Sequence, residues 1–175
     1  MKLLLHKLNS GDSIEGPAPL SLDKLLTQAV QLKSQFEPRP TLELNDTGLT
    51  LLANWGRMER VVGHLIQNAI EASARDGRVL VSLRRQDGNA VIEIRDNGAG
   101  MSDEFMRSRL FKPFETTKSA GMGVGVFESR EYIQELGGRL DVASRVGEGT
   151  TFTLTLPLNG ARAAQPLDEQ QEESA

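Results

Sequence analysis

Leu22, Leu25, Leu26, Ala29, Leu32 and Phe36 recur at nearly helical spacing, and Pro38 and Pro40 are placed to end the helix they predict. The longest helical pattern runs from Trp55 to Arg75. Met58, Val61, Val62, Leu65, Ile66, Ala69, Ile70 and Ala72 give it a broad apolar face, and Asp76-Gly77 stops it. Ser102 to Phe114 is partly helical behind a Ser-Asp-Glu start, and Val126 to Leu136 is helical with Gly137-Gly138 at its C-terminal end. Residues 18–22 predict a short strand. Thr41–Asn45 and Leu49–Ala53 are strand-like runs about a turn at Asp46-Thr47-Gly48. Val79–Arg85 and Ala90–Arg95 alternate apolar and polar residues about Asp87-Gly88-Asn89, as a hairpin does. Leu140–Ala143 and Thr151–Leu156 are the last strands, joined through Gly147-Glu148-Gly149. Residues 115–125 are Gly-rich and lack periodicity. No internal repeat is visible. Helices that need a sheet face, mixed with antiparallel hairpins, predict a two-layer α/β sandwich, more antiparallel than doubly wound.

The ends read differently from the middle. Leu3, Leu4, Leu5 and Leu8 make an uncapped helical stub, broken by Asn9, Ser10, Gly11 and Gly16-Pro17. Residues 1–16 are therefore expected to be the remnant of a longer helix and its linker. Residues 17–158 form the domain. Residues 159–175, rich in Ala, Gln and Glu, predict a disordered acidic tail.

Composition narrows the chemistry. At 175 residues the chain suits one domain. It contains no cysteine, which removes disulfides, thiolate nucleophiles, iron–sulfur clusters and Cys-based zinc sites. His6 and His64 are the only histidines, too few for a His-rich metal site. A net charge of −4 makes a general nucleic-acid binder a poor fit. No apolar run approaches the roughly 20 residues that cross a bilayer. The start MKLLLHKLNS is too short and polar for a signal peptide, so a cytoplasmic setting is expected.

Asp96-Asn97-Gly98-Ala99-Gly100-Met101 directly follows a predicted strand. It places a carboxylate at the strand end, able to accept from an exocyclic amine, and its glycines let a flat ligand approach. An ordinary Asn/Gly turn has the same residues. Gly121-Met122-Gly123-Val124-Gly125 precedes the helix at Val126. Amides there face the positive end of the helix dipole and suit a polyphosphate, unless the stretch is a linker. It is neither a dinucleotide fingerprint nor a Walker loop. His64, Asn68 and Glu71 share one helix face. An Asn within an apolar helix costs stability unless its amide is satisfied, by a neighbouring loop or by Mg²⁺ on phosphates. Leu110-Phe111-Lys112-Pro113-Phe114-Glu115-Thr116-Thr117-Lys118 bridges the two Gly motifs. Its phenylalanines suit anchors of a loop, and Lys118 can reach a terminal phosphate.

In order, these motifs and Gly147-Glu148-Gly149-Thr150-Thr151-Phe152 resemble the ATP-binding domain of sensor histidine kinases. That domain shares a fold family with gyrase B, Hsp90 and MutL, the Bergerat-type α/β sandwich. The likeness covers roughly residues 18 to 158. FKPFETTKSAGMGVGVFESREYIQELGGRL further looks like the histidine kinases of PEP-CTERM systems. The resemblance implies ATP and Mg²⁺ as cofactors. Asn68 would hold Mg²⁺. Asp96 would bind the adenine amine, with Gly98, Gly100 and Met101 lining the pocket and Thr150 fixing waters nearby. Residues 102 to 120 would form a lid. Lys118 and the backbone of Gly121, Met122, Gly123, Val124 and Gly125 would hold the triphosphate. Glu71 and Ala72 would lie beside the site.

Hydrolytic members of that family carry a Glu four residues before the helix Asn; His64 stands there in this chain. A neutral imidazole can take a proton at pH 7, but loss of the carboxylate favours transfer to a protein nucleophile. The implied reaction is γ-phosphoryl transfer to a histidine on a dimerising helix hairpin, then to a response regulator. No such hairpin lies in this sequence, so autophosphorylation by this segment alone is not expected. The parent protein is compatible with a membrane anchor elsewhere. A stand-alone Ser/Thr kinase of the anti-sigma type, a dimerising ATPase and a nucleotide-binding module are the alternatives.

Overall fold

The computed structural model describes residues 16–112 and 120–158, with side chains from 125 onward in the second stretch. The expected stub at 1–10, the tail at 159–175 and Lys118 lie outside them. Strands β4 (Val79–Gln86) and β5 (Asn89–Asp96) form the expected hairpin, closed by Asp87 and Gly88. Both turn residues have positive φ, 54° and 80°, which is the geometry that matches strand twist. β7 (Gly149–Pro157) pairs with β5, and β6 (Arg139–Arg145) with β7, all antiparallel. β2 (Thr41–Leu44) lies parallel to β4, which gives a five-stranded sheet ordered β2-β4-β5-β7-β6.

β3 (Thr50–Ala53) does not pair with β2, although the sequence sets the two runs about a turn. It pairs with β1 (Ala18–Ser21) in a separate two-stranded sheet. Each strand takes the neighbour that covers its apolar positions. Leu42 and Leu44 lie beside Val81 and Leu83, whereas Leu51 lies opposite Leu20.

Helix α1 (Leu22–Leu32) starts at Ser21, whose Oγ accepts from the Lys24 N–H. It stops before Phe36, short of the predicted end. Ser34 closes the last turn, donating both its N–H and its Oγ–H to Gln31 O. Helix α2 (Trp55–Ala72) is capped by Asn54, which accepts the Arg57 N–H at 2.9 Å. α3 (Asp103–Ser108) is short and capped by Ser102. α4 (Ala120–Glu135) ends at Gly137, whose φ of 84° and neighbouring amide bonds close the helix.

The long helices cover one face of the sheet. Val81, Leu83, Ile92, Ile94 and Leu154 face them and are wholly or almost wholly buried, together with Leu25, Met58, Leu65, Ile66 and Ile133. The opposite face is polar, with Glu93 between Arg84 and Arg95 and Arg139 against Asp141. Such exposed pairs contribute little to stability, on the order of 0–1 kcal/mol each. A clamp fixes α2 against α4. The Tyr132 Oη accepts the Asn54 N–H at 2.9 Å. Arg57 stacks over the Tyr132 ring at 3.9 Å and reaches both carboxylate oxygens of Glu135.

Candidate functional site

The inner face of the sheet changes character at one end. Along β5, β7 and β6 its rows are apolar until the last, where Asp96, Thr150 and Ser144 stand in register across the three strands. Asp96 and Thr150 are buried. The Asp96 carboxylate accepts the Gly98 N–H at 2.8 Å and the backbone N–H of Thr150. Burial pushes its pKa above the ordinary 3.8, and the two amide bonds pull the other way.

Ser144 is a hub that the sequence reading missed. Its Oγ accepts the Met101 N–H at 2.8 Å, donates to Gly149 O at 3.1 Å, and lies 2.7 Å from Thr150 Oγ1. The signal for it was present. Leu140, Val142 and Ser144 alternate in one phase along β6, so a strand continued past Ala143 turns Ser144 inward.

The loop after Asp96 is wedged between two backbones. A Cβ at Gly98 would collide with Ala72 O, and one at Gly100, where φ is 77°, would collide with Arg145 O. Ala99 N–H donates to Ala72 O at 3.1 Å, and Gly147 N–H to Ala99 O at 2.7 Å. These two glycines thus let the C-terminal end of α2 and the β6–β7 turn close on the loop. Gly98 is not among the residues that line the cavity.

What they enclose is a cavity of about 540 Å³, within the range usual for small-molecule sites. Of the residues singled out from the sequence, Asn68, Glu71, Ala72, Asp96, Gly100, Met101 and Thr150 line it. Phe105 and Phe152, not singled out, add apolar wall beside Met101. Asn68 is buried in α2, and its Nδ2 has no hydrogen-bond partner among the described residues. Glu71 lies one turn on, its carboxylate accepting from Gln67 Nε2 at 3.1 Å.

One expectation needs correction. The sequence predicts a loop over the glycine run, ahead of a helix starting at Val126. Instead α4 begins at Ala120, so Gly121, Met122, Gly123, Val124 and Gly125 form its first turns. The first four N–H groups of a helix lack partners within it, so amides remain on offer at this end. His64, one turn before Asn68 on α2, is not among the residues that line the cavity. It packs against Gly125, where a Cβ would collide with the imidazole.

Comparison with known proteins adds a family. The model of the "Histidine kinase-, DNA gyrase B-, and HSP90-like ATPase" family matches residues 54–160. The sensor histidine kinase ZraS of Klebsiella oxytoca is 32% identical over 156 residues, which is 86% of this chain and 33% of ZraS. The C4-dicarboxylate transport sensor protein DctB of Rhizobium meliloti is 35% identical over 144 residues, 79% of this chain and 23% of DctB. The chain thus spans a third or less of these relatives. The catalytic domain of histidine kinase ThkA superposes with a TM-score of 0.72 at 23% identity, over 83% of this chain and 97% of that domain, and so shares the fold. Full-length ShkA in complex with AMPPNP superposes with a TM-score of 0.70 at 25% identity, over 89% of this chain and 34% of ShkA.

Proposed function

The chain belongs to the family of histidine kinase-, DNA gyrase B- and HSP90-like ATPases, and we propose that it is the ATP-binding catalytic domain of a two-component sensor histidine kinase, running over residues 17–158 of this sequence. The observation that carries this reading is a cavity that joins Asn68 on α2 to Asp96 and Thr150 on the sheet. In it Asp96 accepts a hydrogen bond from the adenine amine. Thr150 orders the water beside it, and Met101, Phe105 and Phe152 cover the base. Gly98 and Gly100 hold the loop in place. The amides at the start of α4 and Lys118 receive the phosphates. The likeness of residues 111–140 to kinases of PEP-CTERM systems belongs to the same reading.

Mg²⁺ fits the residues present. Among the described residues no cluster of three acidic or histidine side chains could hold a metal ion by itself. Asn68 lines the cavity, where its Oδ1 would be the Mg²⁺ ligand and its unpartnered Nδ2, a donor, could reach a phosphate oxygen; Mg²⁺ is commonly held by one or two protein oxygens together with substrate phosphates and waters. When bound, Mg²⁺ neutralises charge on the phosphates. Glu71 supports Asn68 from the next turn.

The reaction proposed is transfer of the γ-phosphoryl group to an imidazole nitrogen. The bond to the ADP oxygen breaks, a P–N bond forms and the imidazole loses its proton. The chain's contribution is positioning and charge neutralisation. The acceptor histidine belongs to a dimerisation hairpin outside this segment, and an aspartate of a response regulator takes the group next. We place the domain in the cytoplasm. No helix among the described residues is long and apolar enough to cross a membrane.

Calorimetric titration with a non-hydrolysable ATP analogue, with and without Mg²⁺, tests the reading. Binding that strengthens with Mg²⁺ supports it. Absence of binding at millimolar nucleotide overturns it. Transfer from ATP to a serine of a partner, and not to the histidine of a supplied hairpin, would move the chain to the Ser/Thr kinases of the same fold.

A further inference from the structure

We infer that Ser144 is a specificity-determining residue, which selects 6-amino over 6-oxo purines by fixing the direction of the Thr150 hydroxyl. The inference rests on the proposed nucleotide site and concerns a side chain behind it.

The argument is a proton count. A serine hydroxyl has one proton and two lone pairs. Ser144 Oγ stands within hydrogen-bonding distance of three groups: the Met101 N–H, Gly149 O and Thr150 Oγ1. The Met101 amide can only donate, so it takes one lone pair. The Gly149 carbonyl can only accept, so it takes the proton. One lone pair is left for Thr150, and Thr150 must be the donor. Only this arrangement makes all three bonds, and it saturates Ser144.

The consequence lies on the cavity side. With its proton committed to Ser144, Thr150 has only lone pairs to offer the cavity it lines. Its cross-strand partner Asp96 is likewise an acceptor when ionised. Thr150 Oγ1 and the ionised Asp96 carboxylate therefore present acceptors alone to the cavity. A 6-amino purine brings a donor to them, directly to the carboxylate or through a water that donates to Thr150. A 6-oxo purine brings a carbonyl, and a buried acceptor facing a carbonyl is left unpaired. If Ser144 no longer receives the Thr150 proton, the hydroxyl can turn and donate into the cavity, and the discrimination weakens.

Inosine triphosphate is the probe, since it differs from ATP at the 6-position without adding a 2-amino group. Affinities for both nucleotides are measured by calorimetry in the wild-type chain, in Ser144→Ala and in Ser144→Thr. The expected result is a fall of about tenfold in the ATP-over-ITP preference of Ser144→Ala, with most of the preference retained in Ser144→Thr, which keeps a hydroxyl. A purely structural role would weaken both nucleotides in parallel and leave their ratio unchanged, which would overturn the inference. Should Ser144→Ala fail to fold, Ser144→Cys keeps the volume with a weak donor and acceptor and carries the same expectation. Failure of the wild-type chain to bind ATP would instead overturn the proposed function.

Discussion

Gly125 of α4 faces His64 of α2 so closely that a methyl group at position 125 would overlap the imidazole Nε2. The missing side chain at 125 is what admits the imidazole between the two helices. Overpacking typically costs about 1–3 kcal/mol, which exceeds the roughly 1 kcal/mol that alanine gains over glycine in helix propensity. Gly125→Ala is therefore expected to lose up to about 2 kcal/mol of stability in urea unfolding. His64→Ala in the same chain should restore most of it, because it removes the colliding ring. A double variant no more stable than Gly125→Ala would separate the two residues.

Asp96 is expected to carry much of the adenine affinity. Asp96→Asn replaces an acceptor with a group that is half donor, and nucleotide affinity should fall more than tenfold, about 1.4 kcal/mol or more. Calorimetry with the ATP analogue measures it. Near-normal affinity would remove Asp96 from the base site.

The same carboxylate gives binding and stability opposite pH dependences. Its folded-state pKa is raised, chiefly by burial. The folded chain thus holds this proton more tightly than the unfolded chain does. The associated stability is present below the ordinary 3.8 and is lost as pH rises through the folded value. At neutral pH the buried carboxylate is a liability, so Asp96→Asn should be at least as stable as the wild type at pH 7. Any advantage should shrink on acidification. Nucleotide affinity, which needs the carboxylate ionised, should weaken on acidification starting above the pH at which an ordinary aspartate protonates. Urea midpoints and titrations across acid pH read both trends.

Asn68→Ala is expected to abolish the part of the affinity that depends on Mg²⁺ and to leave the Mg²⁺-independent part within about threefold, under 1 kcal/mol. Titrations in Mg²⁺ and in EDTA separate the two. An unchanged Mg²⁺ increment would move the ion away from Asn68.

Tyr132→Phe removes the oxygen that accepts the Asn54 N–H. Leaving a partly buried amide unpaired costs about 1–3 kcal/mol. The variant should lose stability in that range while nucleotide affinity stays close to wild type, because the clamp lies away from the cavity lining.

Most helices and strands were legible because their signals are local. The period of α2 and the turn residues Asp87 and Gly88 decide their structures within a few positions. The partnership of β3 with β1 was not legible, because pairing depends on which distant strand buries Leu51. The start of α4 was missed because glycines weaken a helical pattern even where the helix forms. In the site, Asn68 and Asp96 stood out as polar residues in apolar surroundings or at a strand end. Ser144 did not, since its importance comes from three contacts made across the fold.

The row Asp96–Thr150–Ser144 also fixes when the site can come into being. β7 follows every other described strand in the chain, yet it sits inside the sheet, between β5 and β6. Until residues 149–157 insert there, Asp96 has no Thr150 opposite it and Ser144 has no hydroxyl to orient. A nascent chain on the ribosome is therefore blind to nucleotide until residues 149–157 have emerged. It gains the pocket in the same step that closes the sheet.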